Sequence, residues 1–241
     1  MPNSIWIGFD PREASAYAVC RSSLNYHLTQ AIPVRGVILE ELQRLGLYTR
    51  PLEYRRSSLD VPIMWDTISG ATMSTQHANA RFLVPHLANP GWALFCDGDM
   101  LFRGNVARLF ESLDKSVPLY CVKHNYAPVN QTKMDGQVQT VYPRKNWSSF
   151  MIFNVGHPAN EGLTLEAINS LPGRDLHRFC WLDDSEIGAL PDSWNFLVGY
   201  SEMSVPEVKC VHFTEGVPDM PGYENVPFAD EWRAELIRWA K

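Results

Sequence analysis

The chain has 241 residues and a mass of 27.4 kDa, enough for one sizeable domain and short for two. Hydrophobic residues make up 45% and charged residues 20%, ordinary globular usage that excludes a disordered or collagen-like chain. Lys and Arg number 21 against 27 Asp and Glu, a formal charge of -6, which argues against the phosphate backbone of nucleic acid as the main partner.

Met1, Pro2, Asn3 and Ser4 carry no basic stretch, and the apolar run that follows is far shorter than a signal peptide or a membrane span. A cytoplasmic location is therefore expected. Residues 4–9 predict a strand that stops at Asp10 and Pro11, and Tyr17, Cys20, Leu24 and Leu28 then share one helical face. With a second strand signal over residues 34–39, the opening reads as a β-α-β unit, the building block of a parallel sheet covered by helices on both faces. Residues 43–75 are expected to be mostly loop, because Pro51, Arg55, Arg56, Ser57, Ser58 and Pro62 break every period. Helical spacing resumes over residues 76–87, and the apolar run 92–96 ends in Asp97, Gly98 and Asp99.

The second half predicts strands at 118–122, 138–142, 150–153 and 209–213, of mixed direction, with a helix over 163–171 and a mobile polar loop over 124–136. Trp232, Leu236 and Trp239 recur at helical spacing with acids Asp230 and Glu231 first and Arg238 and Lys241 last, predicting a docked C-terminal helix. No repeat or linker interrupts the chain, so the expectation is a single α/β domain over residues 1–241. The 5 cysteines are scattered singly and are expected to be reduced, with neither a zinc ribbon nor a disulfide framework.

Two carboxylates at the end of a buried strand converge on a divalent cation when the chain turns sharply, and Gly98 permits both the turn and the close approach of a ligand. Ligands of open α/β sheets bind beyond such strand ends. An Asp-x-Asp alone is a common pattern, and a structural turn is the plain alternative. His212 closes the apolar run 209–213; alone it reads as a hydrogen-bonded structural histidine, and beside the Asp pair as a third ligand.

With these residues in place, the chain resembles the retaining glycosyltransferases of the GT-A fold, specifically the family 8 group that includes glycogenin and bacterial lipopolysaccharide galactosyltransferases. The resemblance runs through nearly the whole chain in order: the opening strand with Asp10, Tyr17 and Ser22; the Arg81-Phe82-Leu83-Val84-Pro85 segment; the Asp-x-Asp strand 95–102; the short helix 105–110; the strand 147–154; Leu182-Asp183-Asp184-Ser185-Glu186-Ile187 with Leu190, Pro191, Trp194 and Asn195; and His212, Phe213 and Gly216. Ser148 and Ser149 replace a small-residue pair, Gly216 lies one residue further from the histidine, Asp184 stands where glutamine is common, and Asp219-Met220-Pro221 replaces the Lys-Pro-Trp that binds the diphosphate.

The resemblance implies a GT-A fold, a mostly parallel sheet flanked by helices, with residues 1–103 as the nucleotide-sugar half and 104–241 as the acceptor half. It implies a glycosyltransferase of hexosyltransferase type, moving sugar from a UDP-sugar donor to an acceptor hydroxyl with retention. Asp97, Asp99 and His212 would hold manganese, with magnesium the alternative. Phe9, Asp10, Arg81, Lys145, Ser148 and Gly216 would bind the donor, Lys145 or Arg144 supplying the missing cation, and a solvated basic pair is the plain reading of those two. Asp183 and Asp184 would lie near the anomeric carbon, or else favour a helix N-terminus without catalytic duty. The acceptor, a glycan, a lipid-linked saccharide or a protein, is left open. Two other functions fit the pattern: a haloacid-dehalogenase-type phosphatase with Asp97 as nucleophile and Asp99 as general acid, and a non-catalytic carbohydrate-binding protein suggested by 8 Trp and 12% aromatic residues.

Overall fold

The computed structural model describes residues 2–56, 60, 62–124, 144–205 and 207–241. In chain order these form β1 (Ser4–Gly8), α1 (Ala14–His27), β2 (Val34–Val37), α2 (Leu39–Arg44), β3 (Leu52–Arg56), β4 (Pro62–Asp66), β5 (Ala71–Met73), α3 (Val84–Leu87), β6 (Gly91–Cys96) and β7 (Met100–Phe102). There follow α4 (Val106–Glu111), β8 (Leu119–Cys121), β9 (Phe150–Val155), α5 (Leu165–Ser170), α6 (Gly173–His177), β10 (Ile187–Ala189), β11 (Phe196–Leu197), β12 (Cys210–His212) and α7 (Ala229–Trp239).

The central sheet has six strands in the order β10-β8-β9-β6-β1-β2, and within it only β9 runs against its neighbours. This is the mostly parallel α/β architecture expected from the opening β-α-β unit. Its strands are buried on both faces, as parallel strands under helices are: Trp6, Phe95, Met151 and Phe153 point into one core, and Ile5, Ile7, Leu94, Cys96, Phe150 and Ile152 into the other. A smaller sheet, β11-β12-β7, packs beside α1 and α7 around Val19, Leu101, Val211, Phe213 and Trp232.

Three sequence expectations change. Residues 43–75 are not mostly loop but carry the antiparallel sheet β3-β4-β5. β3 is solvent-exposed along nearly its whole length, so no burial period marks it; pairing and a buried ion pair, Arg50 with Asp66, hold the sheet instead. The helix expected over 76–87 is split into a 3-10 turn, Ala80–Leu83, and α3, because Pro85 has no N–H to continue the ladder. Of the apolar trio in α7, Trp232 is buried and Leu236 half-buried, but Trp239 is 58% exposed past the docked turns. The strand expected over residues 138–142 and all but the first residue of the loop over 124–136 lie outside the described residues.

Gly98 lies in the expected turn and has a packing duty besides. A Cβ there would lie 2.5 Å from the carbonyl oxygen of Gly8, so its missing side chain serves the packing of the β6–β7 turn against the end of β1. Backbone cannot yield as a flexible side chain can, and Gly98→Ala should therefore cost about 1–3 kcal/mol of stability in urea unfolding. An unchanged midpoint would show that the turn can shift.

Candidate active site

β1, β6 and β8 run parallel, so their carboxyl ends share one edge of the sheet, the edge where such folds receive ligands. Asp97 follows β6 directly, and its N–H donates to the Ser149 carbonyl at 2.9 Å. Asp99 is brought back by the turn at Gly98, and its carbonyl accepts from Phe213 N–H at 3.0 Å. β12 pairs antiparallel with β7 in the register His212↔Met100, which sets the imidazole beside Asp99. One ligand atom each from Asp97, Asp99 and His212 then lies within 4.8 Å of the others.

The two sides of this cluster are held differently. Asp97 Oδ1 accepts from Arg81 Nη2 at 2.9 Å and from His77 Nε2 at 3.1 Å, while Arg81 also donates to the carbonyls of Ala78 and Ser148. Burial pushes the Asp97 carboxyl up, but Arg81, His77 and His212 outweigh it and hold the group well below the ordinary range. His212 Nε2 stands 3.3 Å from Asp99 Oδ1, yet that oxygen is buried and has no hydrogen-bond partner among the described residues. Burial disfavours a charged His212, and Asp99 and Asp97 overcome this to raise its pKa. Two carboxylates, one with an oxygen left unpartnered among the described residues, and an imidazole nitrogen fit a divalent cation of mixed O/N preference.

The other expected residues are placed as follows. Asp10 is fully buried, and both its oxygens are occupied by Arg12 and by the N–H groups of Arg12 and Gln76; it caps the turn after β1 and offers no free oxygen to a base. Phe9 lies edge-on to Tyr17, with ring centres 5.1 Å apart. Arg81 is spent on Asp97 and two carbonyls and has only 7% of its side chain exposed. Ser148 is buried, its Oγ 2.6 Å from His177 Nδ1. Arg144 is committed to Asp184 at 2.6 Å and to the carbonyls of Phe179 and Leu182, and Lys145 follows it, half-buried. Asp183 is the N-cap of the turn Asp184–Glu186, and Glu186 Oε2 reaches back to its N–H at 2.8 Å. Gly216 lies under the Tyr223 ring, where a Cβ would come within 2.7 Å.

Three further residues were not legible as site residues. His77 comes from an irregular turn, and a Cβ on Gly8 would overlap its ring. His124, beyond β8, has a buried Nε2 with no partner among the described residues, and burial with the charge of His212 lowers its pKa to about 4. Glu13 sits where burial, then Asp99, Asp10 and Asp97, raise its pKa from 4.5 to about 8. A folded-state acid pKa raised this way means that the native protein binds the proton more tightly than the unfolded chain, so stability falls as pH rises from about 4.5 to about 8. Glu13→Gln should leave stability in chelator nearly unchanged near pH 4.5 and raise it at pH 8 by about 1 kcal/mol or more. Equal urea midpoints for the two proteins at pH 8 would show that Glu13 is not strained by its neighbours.

No family model matches the chain. Among solved structures it resembles the apo WbbM bifunctional glycosyltransferase (TM-score 0.62, 15% identity, 98% of this chain) and the glycosyltransferase GlyE of Streptococcus pneumoniae TIGR4 (TM-score 0.61, 13% identity, 99% of this chain). It also resembles the galactosyltransferase LgtC in complex with donor and acceptor sugar analogs (TM-score 0.56, 12% identity, 98% of this chain and 95% of that one). The chain spans about half of the WbbM chain (49%) and 62% of the GlyE chain. At these identities the likeness is one of fold, and the fold is GT-A-like. Protein CDI of Arabidopsis thaliana is 39% identical over 245 residues, an alignment that takes in 100% of this chain and 88% of that protein. With that identity sustained from end to end, the chain belongs to the family of Protein CDI.

Proposed function

We propose that the chain is a metal-dependent glycosyltransferase of hexosyltransferase type that moves a sugar from a UDP-sugar to an acceptor hydroxyl with retention, in the manner of the family 8 enzymes it resembles. The observation that carries this reading is the Asp97, Asp99 and His212 cluster, with its orphaned Asp99 Oδ1, at the carboxyl edge of a GT-A-like sheet. In such chemistry a nucleoside diphosphate departs with accumulating negative charge, and a manganese ion, or less well magnesium, bound there supplies Lewis-acid stabilisation of that charge.

The chain's own groups have distinct parts in this proposal. Arg81 and His77 keep Asp97 ionised and oriented, so it is ready to ligate at neutral pH. Phe9, Gly216 and Ser148 shape the donor side, Lys145 supplies the cation that Asp219-Met220-Pro221 lacks, and Asp10 acts by fixing the turn beneath the nucleotide. Asp183 is the carboxylate that would stabilise oxocarbenium character, because Asp184 is already neutralised by Arg144. The whole of 1–241 acts as one domain, with residues 1–103 serving the donor and 104–241 the acceptor.

A panel of nucleotide sugars incubated with manganese and scored for diphosphate release tests the reading, since slow donor hydrolysis proceeds without an acceptor. The expected result is metal-dependent release of UDP from one donor. Release of inorganic phosphate from a phosphomonoester would establish the phosphatase, and sugar binding without turnover of any donor would establish the carbohydrate-binding protein.

A further inference from the structure

Behind His212 lies a chain of hydrogen bonds whose direction is fixed by its far end. The backbone carbonyl of Asn146 can only accept, and Ser149 Oγ lies 2.7 Å from it, so the Ser149 hydroxyl donates there. Its proton spent, Ser149 Oγ accepts from Asn195 Nδ2 at 2.8 Å. That fixes the Asn195 amide, whose Oδ1 then faces His212 Nδ1 at 3.0 Å and must accept from it. Nδ1 therefore carries the proton of the neutral ring, and Nε2, 3.3 Å from Asp99 Oδ1, is the nitrogen left bare once the second proton leaves. Asn195 is fully buried, with 0% exposure, and Ser149 has 4%, so water does not compete for these bonds.

We infer that Asn195 is a positioning residue for the metal-binding histidine: the Asn146–Ser149–Asn195 relay holds His212 in the Nδ1–H tautomer, so that Nε2 is a ready ligand. The inference rests on the metal-dependent reading above for its purpose, but the relay itself is a property of the metal-free protein. The same turn, Trp147–Ser149, also holds the other side of the cluster, through the Ser149 carbonyl on Asp97 N–H and the Ser148 carbonyl on Arg81. Outer-shell partners of this kind tune metal affinity by orienting the ligand and raising its basicity.

Two measurements on purified protein test it. The first is manganese binding, read from the free Mn(II) electron-paramagnetic-resonance signal during titration. Asn195→Leu should weaken binding about 10- to 100-fold, whereas Asn195→Asp, which still accepts from Nδ1–H, should stay within a few-fold of the parent. The second is the nitrogen-15 spectrum of the histidines in chelator at pH 9, with the His212 signals identified by their loss in His212→Gln. The parent should show Nε2 unprotonated, and Asn195→Leu a mixture of tautomers.

Should Asn195→Leu fail to fold, Ser149→Ala frees the amide to turn over and should give the same tautomer mixture with manganese binding weakened at least threefold. Manganese affinity retained within threefold in Asn195→Leu, or lost equally in Asn195→Leu and Asn195→Asp, would overturn the inference, as would a parent spectrum with the proton on Nε2. A parent that shows the Nδ1–H tautomer but binds no manganese would instead leave the relay standing and overturn the metal-dependent reading.

Discussion

Replacing Asp99 with alanine is expected to lower turnover by about a thousandfold or more, equivalent to roughly 4 kcal/mol of barrier, while leaving the protein folded. Asp99 provides the one carboxylate oxygen of the cluster that is buried without a partner among the described residues. Asp97 is held by Arg81 and His77, whereas that oxygen meets the His212 ring at 3.3 Å, a weaker tie. After burial, Asp99 is the largest contributor to the raised pKa of Glu13, so its removal relieves repulsion among like charges. Stability should hold or rise in the metal-free protein, and Glu13 should return toward the ordinary carboxyl range. Measured on one donor at saturating manganese, a folded Asp99→Ala enzyme with activity within tenfold of the parent would return the Asp pair to a structural turn. Asp183→Asn is the contrast, expected to slow turnover without changing manganese affinity.

Arg50→Met is expected to cost about 3–5 kcal/mol of stability, the largest folding effect of any single substitution considered. Arg50 and Asp66 are both fully buried and paired. Asp66 also accepts from Ser69 and from Asn79 Nδ2 at 3.2 Å, and Arg50 donates to the carbonyls of Ile168 and Leu171 at 2.7 and 2.8 Å. Loss of the guanidinium leaves a buried carboxylate and two carbonyls without their partner. A double substitution, Arg50→Met with Asp66→Leu, removes the stranded charge and should recover a large part of the loss. Urea unfolding of the two variants checks this, and equal stabilities for single and double would show that the charge is not what matters. Because Asn79 lies between His77 and Arg81, both bonded to Asp97, the single substitution should also weaken manganese binding.

The amino-acid sequence by itself determined the α/β class, because strands buried on both faces read as apolar runs and α1 and α7 carry periodic faces, as at Cys20, Leu24 and Trp232. It also determined the Asp97–Asp99 pair, since a carboxylate after a buried strand must face outward at the sheet edge. The tertiary structure decided everything that depends on partners distant in the chain. The β3-β4-β5 sheet has no burial period to read, and a buried ion pair and cross-strand pairing hold it. His77, Glu13 and His124 come from segments without a motif and acquire their character only from neighbours that folding brings up. Arg81 and Asp10, which the sequence offers to a ligand, are consumed by carboxylate, carbonyl and N–H groups that must be satisfied once buried. Which nitrogen of His212 is free is settled by a backbone carbonyl at Asn146, 66 residues earlier, because a hydrogen-bond chain takes its direction from the one member that can only accept.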